Sequence, residues 1–296
     1  MTRCGVVAVL GAPNAGKSTL VNQLVGQKVA ITSPKAQTTR ARMLGIALHG
    51  DTQMILVDTP GIFAPRRRLD RAMVSAAWEG ADAADAVLLL VDPLKQRRHE
   101  LEPLLERLAD RPERKLLVLN KVDAAKKEPL LALAQELTGK ADFAEVFFVS
   151  ALTGDGVPEM KAALAATMPE AEWMYPEDQV SDASERLLAA EVTREQLYRQ
   201  LHEELPYDSA VRPERYVERP DGSVEIHQQI VVGRESQRPI VLGKGGARVK
   251  AIGQAAREEL AAMLGQKVHL FLHVKVAENW AEDREVYEEM GLEWGR

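Results

Sequence analysis

The stretch Gly11-Ala-Pro-Asn-Ala-Gly-Lys-Ser18 decides the fold, because it matches the pattern Gly-x4-Gly-Lys-Ser. It follows the apolar run Gly5–Leu10 and opens the amphipathic segment Lys17–Gly26, which is the strand-to-helix context that this pattern requires. Its glycines allow successive backbone N–H groups to turn inward around an anion, and the helix N-terminus adds a positive end. The stretch therefore predicts a phosphate-binding loop in an α/β domain.

The surrounding residues, 5–170, alternate apolar runs with amphipathic segments. The predicted strands are Gly5–Leu10, Leu44–His49, Met54–Asp58, Ala86–Val91, Lys115–Asn120 and Glu145–Val149. The predicted helices are Lys17–Gly26, Glu100–Ala109, Glu128–Leu137 and Pro158–Thr167. Continuous apolar strands separated by helices predict a mostly parallel sheet that is covered on both faces. Because Gly50-Asp51 joins two strands directly, we expect a hairpin that adds one antiparallel edge and makes the sheet mixed.

The pattern changes after Met168. Residues 169–183 carry two prolines and many acids, which is typical of a linker, so we predict domains at 1–170 and 184–296 joined by a linker at 171–183. The second domain includes an acidic C-terminal tail and has the predicted order α-β-β-α-α-β. Its elements are Ser184–Leu205, Val211–Glu218, Ser223–Val232, Pro239–Leu242, Ala247–Leu264 and Lys267–Val276. This order predicts a smaller α+β domain.

The composition excludes several classes of protein. With 46% hydrophobic and 28% charged residues, the chain has the composition of a globular protein. A net charge of −6 argues against a whole-surface nucleic-acid binder but leaves room for a local basic site. The single cysteine, Cys4, cannot form an intramolecular disulfide, which favours a reducing cytoplasm. No apolar run reaches the ~18 residues of a membrane-spanning helix.

Three further motifs each follow a predicted strand: Asp58-Thr-Pro-Gly61, Asn120-Lys-Val-Asp123 and Ser150-Ala-Leu152. Ligands bind at the carboxyl ends of the strands in open α/β sheets, so all four motifs predict one site. A carboxylate at position 123 can accept hydrogen bonds from guanine N1–H and N2–H₂, which adenine does not offer in that arrangement. Asp123 is therefore predicted to select guanine.

The neighbouring residues complete this predicted base site. Asn120 can brace the loop, the stem of Lys121 can lie along the ring face, and the Ala151 N–H can donate to guanine O6. The predicted nucleotide contacts are Gly11, Asn14, Ala15, Gly16, Lys17, Ser18, Thr19, Asp58, Gly61, Asn120, Lys121, Asp123, Ser150, Ala151 and Leu152.

The phosphate end of the site is predicted to hold Mg²⁺. Lys17 would carry its charge to the β- and γ-phosphates, and the Ser18 hydroxyl and Asp58 would hold the ion. A threonine of the stretch Ser33–Arg40 would complete the metal site in the GTP state, and we favour Thr39 over Thr38. The segments 31–42 and 59–72 then become the two switches that sense the γ-phosphate, which the Gly61 N–H would meet.

This half of the chain resembles the translation-factor-like class of P-loop GTPases. Ras-like proteins place a water-orienting Gln after the Gly61 position, but Ile62 stands here, so we expect slow intrinsic hydrolysis. The resemblance also implies that Asn14 helps to hold a K⁺ ion in place of an arginine finger. Catalysis is therefore assigned to four residues: Lys17, Thr39, Gly61 and Asn14.

The stretch Gly243-Lys-Gly-Gly246 is the informative motif of the second domain. Six basic residues and one acid occur within residues 234–257. With the order α-β-β-α-α-β, this Gly-x-x-Gly loop resembles that of a type II KH domain, which presses on the backbone of about four nucleotides. The predicted RNA-binding residues are Gly243, Lys244, Gly245, Gly246, Arg248 and Lys250.

A GTPase domain followed by a type II KH domain in 296 residues resembles the Era family of ribosome-assembly GTPases. Stretches that look like this family are Ala30–Arg40, Glu204–Tyr207, Val268–Leu270 and Val274–Ala281. The resemblance implies a GTPase that uses GTP/GDP, Mg²⁺ and K⁺. It also implies binding of the 3′ end of small-subunit ribosomal RNA, and of the 30S precursor, by a cytoplasmic monomer.

Three questions stay open at this point. The first is peripheral contact with the cytoplasmic face of the inner membrane. The second is the alternative of a constitutive RNA-binding protein with a degenerate nucleotide site, against which the complete phosphate and guanine motifs argue and which a turnover assay tests. The third is the alternative of a signalling GTPase whose C-terminal domain binds a protein or membrane surface. The acidic composition suits that alternative, whereas the basic segment at 234–257 does not, and salt-dependent RNA binding separates the two hypotheses.

Overall fold

The computed structural model describes residues 1–33, 35, 39–40, 43–63, 65, 67–94, 98–202, 205–290 and 292–294. The chain divides into two compact units. Unit 1 comprises Met1–Ala30, Ala36–Asp182 and Tyr287–Arg296, and unit 2 comprises Ile31–Lys35 and Ala183–Val286. Within the described residues, no helix is both long enough and apolar enough to cross a membrane.

The strands of unit 1 begin and end close to where the apolar runs predict them. They are β1 (Arg3–Leu10), β2 (Met43–His49), β3 (Thr52–Asp58), β4 (Ala86–Val91), β5 (Arg114–Leu119) and β6 (Glu145–Phe148). Their order in the sheet is β2-β3-β1-β4-β5-β6. Among the pairings between these six strands in the described residues, that of β2 with β3 is antiparallel and the others are parallel, so the predicted mixed, mostly parallel sheet is confirmed.

The helices assigned to unit 1 are α1 (Lys17–Val25), α2 (Arg68–Asp82), α3 (Arg98–Ala109), α4 (Lys127–Thr138) and α5 (Val157–Thr167). Helix α2 was not predicted from the sequence, and its first turn overlaps the predicted second switch segment. This helix buries Leu69, Met73 and Ala76 on one face, and Trp78 is buried as well. The capping interaction between the Arg67 N–H and Asp70 Oδ2, 2.9 Å, marks its start.

Helices cover both faces of the sheet, and each face has its own apolar core. One core includes Val7 and Leu88 of the strands with Leu20 of α1 and Met160 of α5. The other joins the opposite strand faces to α2, α3 and α4, for example through Trp78, Leu104 and Leu137. Since β1 lies between β3 and β4, the loop after β1 opens where the chain order reverses, at the usual ligand site of such sheets.

Several residues of the expected linker are hydrogen-bonded within unit 1. Ser181 forms an isolated β-bridge with Gly45 of β2, and the Trp173 indole N–H donates to the Asp51 carbonyl at 3.1 Å. The domain boundaries at 170 and 184 stay predictions. The expected position of the tail differs, because Tyr287–Arg296 group with unit 1 rather than with the second domain.

Unit 2 has the predicted order α-β-β-α-α-β. Its elements are α6 (Glu185–Gln200), β7 (Ser209–Glu218), β8 (Val224–Val232), α7 (Arg238–Leu242), α8 (Ala247–Leu264) and β9 (Val268–Val276). The short helix α9 (Arg284–Glu289) follows them. The prediction that the first helix runs to Leu205 is wrong, because Leu201 already has extended backbone angles. The buried Leu201 and Leu205 continue the apolar spacing without continuing the helix.

The sheet of unit 2 has the order β7-β8-β9, in which β7 is antiparallel and β9 is parallel to β8. Its covered face packs on α6 and α8 through apolar residues such as Val192, Ile226 and Ala256. Residues 31–35 of the first switch also belong to this unit. There the Lys35 Nζ donates to the carbonyls of Tyr198 and Leu201, at the C-terminal end of α6.

Candidate nucleotide and RNA sites

The phosphate loop requires glycine at two of its positions. Gly11 has φ +152°, and a Cβ there would lie 2.4 Å from the Leu90 carbonyl oxygen. Gly16 has φ +102°, and a Cβ there would lie 2.3 Å from Asn120 Nδ2. The loop therefore fits closely between the ends of β4 and β5, with Ala15 buried between the two glycines.

Lys17 points into this loop rather than into solvent. It is 6% exposed, and its Nζ donates to the carbonyl oxygens of Gly11 at 3.0 Å and Ala12 at 2.9 Å. Burial lowers the pKa of Lys17 to about 8, against the opposing effect of the negative charge of Asp58. The ammonium group is thus held by the loop that would surround the phosphates.

Three side-chain oxygens converge beside Lys17. Ser18 Oγ lies 2.7 Å from Asp58 Oδ2 and 2.9 Å from Thr39 Oγ1, and the Thr39 hydroxyl donates to Asp58 Oδ2 at 3.1 Å. Two hydroxyls and one carboxylate are the hard oxygen donors that Mg²⁺ prefers. These residues therefore fit the predicted metal. Thr38, the alternative to Thr39, lies outside the described residues.

The residues after Asp58 pack directly on the phosphate loop. The Ile62 N–H donates to the Gly11 carbonyl at 3.0 Å. A Cβ at Gly61 would lie 2.8 Å from the Pro13 backbone, so only glycine allows this approach without a shift. The second switch therefore starts in contact with the loop, with the Thr59 hydroxyl anchored to the Val9 carbonyl at 2.7 Å.

Asn120 joins the phosphate loop to the loop after β6. Its Nδ2 donates to the Ala15 carbonyl at 2.8 Å, and its Oδ1 accepts the Ala151 N–H at 2.9 Å. The predicted bracing role of Asn120 thus has a geometric counterpart. The same Ala151 N–H is the predicted donor to guanine O6, and that contact stays a prediction.

The remaining predicted base contacts surround the same edge of the sheet. Asp123 is exposed in a short 3₁₀ turn, Val122–Ala124, and Leu152 is 79% exposed. Ser150 is buried, and its Oγ accepts the Thr153 N–H at 3.1 Å. Because the Asp123 carboxylate is exposed, a base can approach it at this edge of the sheet. Thr19 stands apart from these, in the first turn of α1.

Lys121 reaches two further partners. Its Nζ donates to the Asn14 carbonyl at 2.9 Å and forms an ion pair with Asp92 Oδ2 at 2.5 Å. Sequence reasoning missed Asp92. An acid directly after the apolar run Ala86–Val91 is the signal that could have identified it, because the other site residues also follow strands.

The glycine loop of unit 2 is a tight turn in front of α8. Gly243, Gly245 and Gly246 have φ values of +72°, +61° and +79°. A Cβ at Gly243 would lie 2.7 Å from Arg248 Cβ, whereas nothing lies within 4 Å of one at Gly245 or Gly246. The tip of the loop therefore offers backbone that another molecule can approach closely.

The basic residues around this loop differ in their surroundings. Lys244 and Lys250 are exposed. The Arg248 Nη1 donates to the Ile240 carbonyl at 2.8 Å, so this guanidinium also supports the end of α7. Ile240 itself is 48% exposed next to the loop.

A groove of about 250 Å³ runs between α8 and β9. It is lined by Val249, Lys250, Gly253, Gln254, Arg257, Leu270 and Leu272. Positions 250, 253, 254 and 257 share one face of the helix, because they are three or four residues apart. Sequence reasoning missed Gln254, Leu270 and Leu272, although the helical spacing after Lys250 could have identified Gln254. The walls of the groove are basic on the side of α8, with Lys250 and Arg257, and apolar on the side of β9, with Leu270 and Leu272.

Two families match the chain, one in each half. A family described as 50S ribosome-binding GTPase matches residues 6–121. The KH domain family matches residues 204–281.

The chain is also similar over its full length to named proteins. It is 82% identical to GTPase Era of Erythrobacter litoralis, over 100% of this chain and 99% of the relative. It is 58% identical to GTPase Era of Afipia carboxidovorans, over 99% and 95%.

Two solved structures have the same fold. The Era structure in complex with MgGDPNP and nucleotides 1506–1542 of 16S ribosomal RNA superimposes with a TM-score of 0.93. A single-site variant of Aquifex aeolicus Era bound to GDP·AlF4⁻ gives 0.92. Each is 36% identical and covers 98% of this chain and 99% of the other.

Proposed function

The chain belongs to the Era family of GTPases, and from this premise we propose that it is a GTP-driven switch that binds the 3′ end of 16S ribosomal RNA and assists assembly of the 30S subunit. The observation that supports RNA binding is the glycine loop at 243–246, which lies beside the basic and apolar groove between α8 and β9. The relative with the same overall fold was solved with such an RNA and with MgGDPNP.

The phosphate end of GTP lies against the glycine loop and α1. The backbone N–H groups of residues 14–19 surround the phosphates, and Lys17 turns from its carbonyl partners to the β- and γ-phosphates. Ser18, Thr39 and Asp58 would hold Mg²⁺, which supplies positive charge to the phosphate oxygens. Removal of the γ-phosphate frees Thr39 and the Gly61 N–H, which is how the two switches sense it.

Hydrolysis in this family member depends on electrostatic stabilisation and on positioning of water. Ile62 cannot polarise water, so backbone groups such as the Gly61 N–H and the Thr39 backbone orient it. Asn14 is exposed and has a left-handed backbone conformation, φ +64°, and we propose that its side chain would help to hold K⁺, which would supply positive charge to the phosphate site. The expected consequence is slow turnover that K⁺ accelerates.

The base end is recognised by the loops after β5 and β6. Asp123 accepts hydrogen bonds from guanine N1–H and N2–H₂, and the stem of Lys121 covers one ring face. Asn120 ties both loops to the phosphate loop through its bonds to Ala15 and Ala151. Leu152 and Ser150 complete the rim of the base site.

RNA binds along unit 2 with its backbone on the glycine loop. The backbone at Gly245 and Gly246 approaches the sugar-phosphate chain, while Lys244, Lys250 and Arg257 meet phosphates. Bases lie in the groove against Leu270 and Leu272. We propose that the protein acts as a cytoplasmic monomer on the 30S precursor.

The full-length protein tests this proposal in one binding series. It is titrated with RNA corresponding to nucleotides 1506–1542 of 16S ribosomal RNA, with a scrambled RNA of the same composition, and with anionic lipid vesicles. We expect preference for the first RNA and binding that weakens as salt rises. GTP turnover is measured on the same preparation with Mg²⁺ and with EDTA.

The outcomes separate the two hypotheses. Preference for the 16S sequence with Mg²⁺-dependent GTP turnover supports the RNA switch. GTP turnover with vesicle binding and equal, weak binding of both RNAs supports the signalling GTPase and contradicts our proposal. Absence of turnover with intact RNA binding contradicts the switch and leaves a constitutive RNA-binding protein.

A further inference from the structure

A buried carboxylate that none of the four motifs contains lies beside the nucleotide site. Asp92 directly follows β4, and β4 lies between β1 and β5 in the sheet. The carboxyl end of β1 leads into the phosphate loop, and that of β5 leads into the Asn120–Asp123 motif. Asp92 therefore stands between the two loops that bind opposite ends of the nucleotide.

The Asp92 carboxylate is held in one orientation. Its Oδ1 accepts the Leu94 N–H at 2.9 Å, in a turn closed by the side chain itself. Only 6% of the side chain is exposed. The second oxygen, Oδ2, is thereby directed at Lys121 Nζ, 2.5 Å away.

Lys121 in turn connects Asp92 to the phosphate loop. Its Nζ donates to the Asn14 carbonyl at 2.9 Å. Both Lys121 and Asn14 have left-handed backbone angles, with φ +62° and +64°, which residues other than glycine adopt only when the surroundings support them. One ammonium group thus joins the two unusual backbone positions of the site.

The charge of Asp92 decides where this ammonium stays. The Lys121 side chain is 32% exposed, so without an anion it can turn outward and be solvated. A neutral carbonyl such as that of Asn14 is a weaker partner for an ammonium than a carboxylate is. The ion pair with Asp92 therefore keeps the Lys121 stem across the region where the base lies.

We propose that Asp92 is a positioning residue for guanine-nucleotide binding. It holds the Lys121 ammonium on the Asn14 carbonyl, so that the aliphatic stem of Lys121 is already in place to contact the base. This inference rests on the proposed GTP site. It predicts equal effects on GTP and GDP, because both nucleotides share the base end. It also predicts that the effect of Asp92 on nucleotide affinity requires the Lys121 side chain.

The test is a double-mutant cycle in the full-length protein. Asp92→Ala, Lys121→Ala and the double variant are titrated with GDP and with a GTP analogue, and steady-state turnover is measured. We expect about tenfold weaker binding of both nucleotides by Asp92→Ala and a matching rise in KM, with kcat changed less than about twofold. The double variant should bind no more weakly than Lys121→Ala.

Asp85→Ala is the matched control, because Asp85 precedes the same strand and bonds the Val6 N–H at 2.8 Å, away from the site. It should leave nucleotide affinity unchanged. Asp92→Asn keeps the size of the side chain and replaces Asp92→Ala if the latter fails to fold; it should weaken binding in the same direction.

The positioning role is wrong if the Asp92 variants bind nucleotide as tightly as the wild type does. It is also wrong if the effects of Asp92→Ala and Lys121→Ala on nucleotide affinity are additive. A wild-type protein that binds neither GDP nor the GTP analogue, or that shows no GTP turnover, would instead contradict the proposed function itself. The two failures are therefore distinguishable in one experiment.

Discussion

In the proposed nucleotide site, the choice of base depends on a single carboxylate, that of Asp123. Asp123→Asn replaces one of the two carboxylate oxygens that face the base by an NH₂ donor. The N2–H₂ group of guanine thereby loses its acceptor, whereas the O2 atom of xanthine gains a donor. We expect GTP affinity to fall about 100-fold or more and xanthosine triphosphate to become the preferred nucleotide. Competition binding against labelled GDP measures both affinities.

The exposed Asp142 offers a control for this substitution, since Asp142→Asn removes the same charge from unit 1 away from the motifs. Its affinities should match those of the wild type. If Asp123→Asn binds GTP as tightly as the wild type does, the assignment of the base site is wrong.

Lys17 should couple nucleotide binding to pH. Burial lowers its pKa to about 8, whereas the phosphates of a bound nucleotide stabilise its charged form and raise that pKa. Binding must therefore take up a proton where the free protein has lost it, that is, at pH values above about 8. Affinity should fall with rising pH in that range.

Calorimetry at pH 8.5 in two buffers of different ionisation enthalpy measures this proton. We expect uptake of roughly three-quarters of a proton per GDP at pH 8.5 and little at pH 7. Binding without proton uptake at pH 8.5 would show that Lys17 is already fully charged in the free protein.

Asn14 is the residue to test for potassium. Asn14→Gly removes the side chain but tolerates the φ of +64°, whereas alanine would add backbone strain. We expect K⁺ to accelerate GTP turnover of the wild type over Na⁺, and Asn14→Gly to lose that acceleration. Equal rates of the wild type in both salts would remove the potassium role.

At the scale of the elements, the turn before α8 should control RNA binding without affecting the GTPase. Gly246→Asp places a negative side chain where the RNA backbone approaches, and space for it exists because nothing lies within 4 Å of a Cβ there. We expect RNA affinity to fall at least about tenfold while GDP affinity stays unchanged.

Gly246→Ala separates charge from conformation, since it shares the strain at φ +79° but carries no charge. RNA affinity of this variant should lie between those of the wild type and Gly246→Asp. Equal losses in both variants would mean that the backbone conformation, not electrostatic repulsion, decides binding. The measurement is an RNA titration at two salt concentrations.

Most of the strands and helices were predictable because the motifs mark their ends. Gly-x4-Gly-Lys-Ser, for example, locates the end of β1 and the start of α1 within a residue or two. Helix α2 was not predicted because the charged residues around Arg68 are typical of a loop. Its apolar residues between Leu69 and Trp78 are the part of the sequence that indicates a helix.

The site was predictable where a sequence motif identifies the chemistry of each residue, and not where only the packing of segments brings a residue to the site. Ser18, Thr39 and Asp58 meet as expected, although they come from three separate segments. Asp92 and the groove residue Leu272 have no motif of their own. Their importance depends on which strands and helices lie next to each other, and that arrangement is visible only in the fold.

At the scale of the whole molecule, the account requires the two activities to communicate. Within the predicted first switch, 31–42, Ile31–Lys35 belong to unit 2, whereas Thr39 lies at the Ser18–Asp58 cluster of unit 1. If this segment responds to the γ-phosphate as we propose, it would be the two-state element that coupling needs. By linkage, RNA must then tighten GTP binding by the factor by which GTP tightens RNA binding.

The most direct test of this central claim is a titration of 16S 3′-end RNA against protein loaded either with a GTP analogue or with GDP. The account predicts tighter RNA binding in the GTP-analogue form, by a factor between about 5 and 150, as is typical of a coupling of about 1–3 kcal/mol. Equal RNA affinities in the two forms would contradict it, and would mean that the two activities are joined on one chain without a switch.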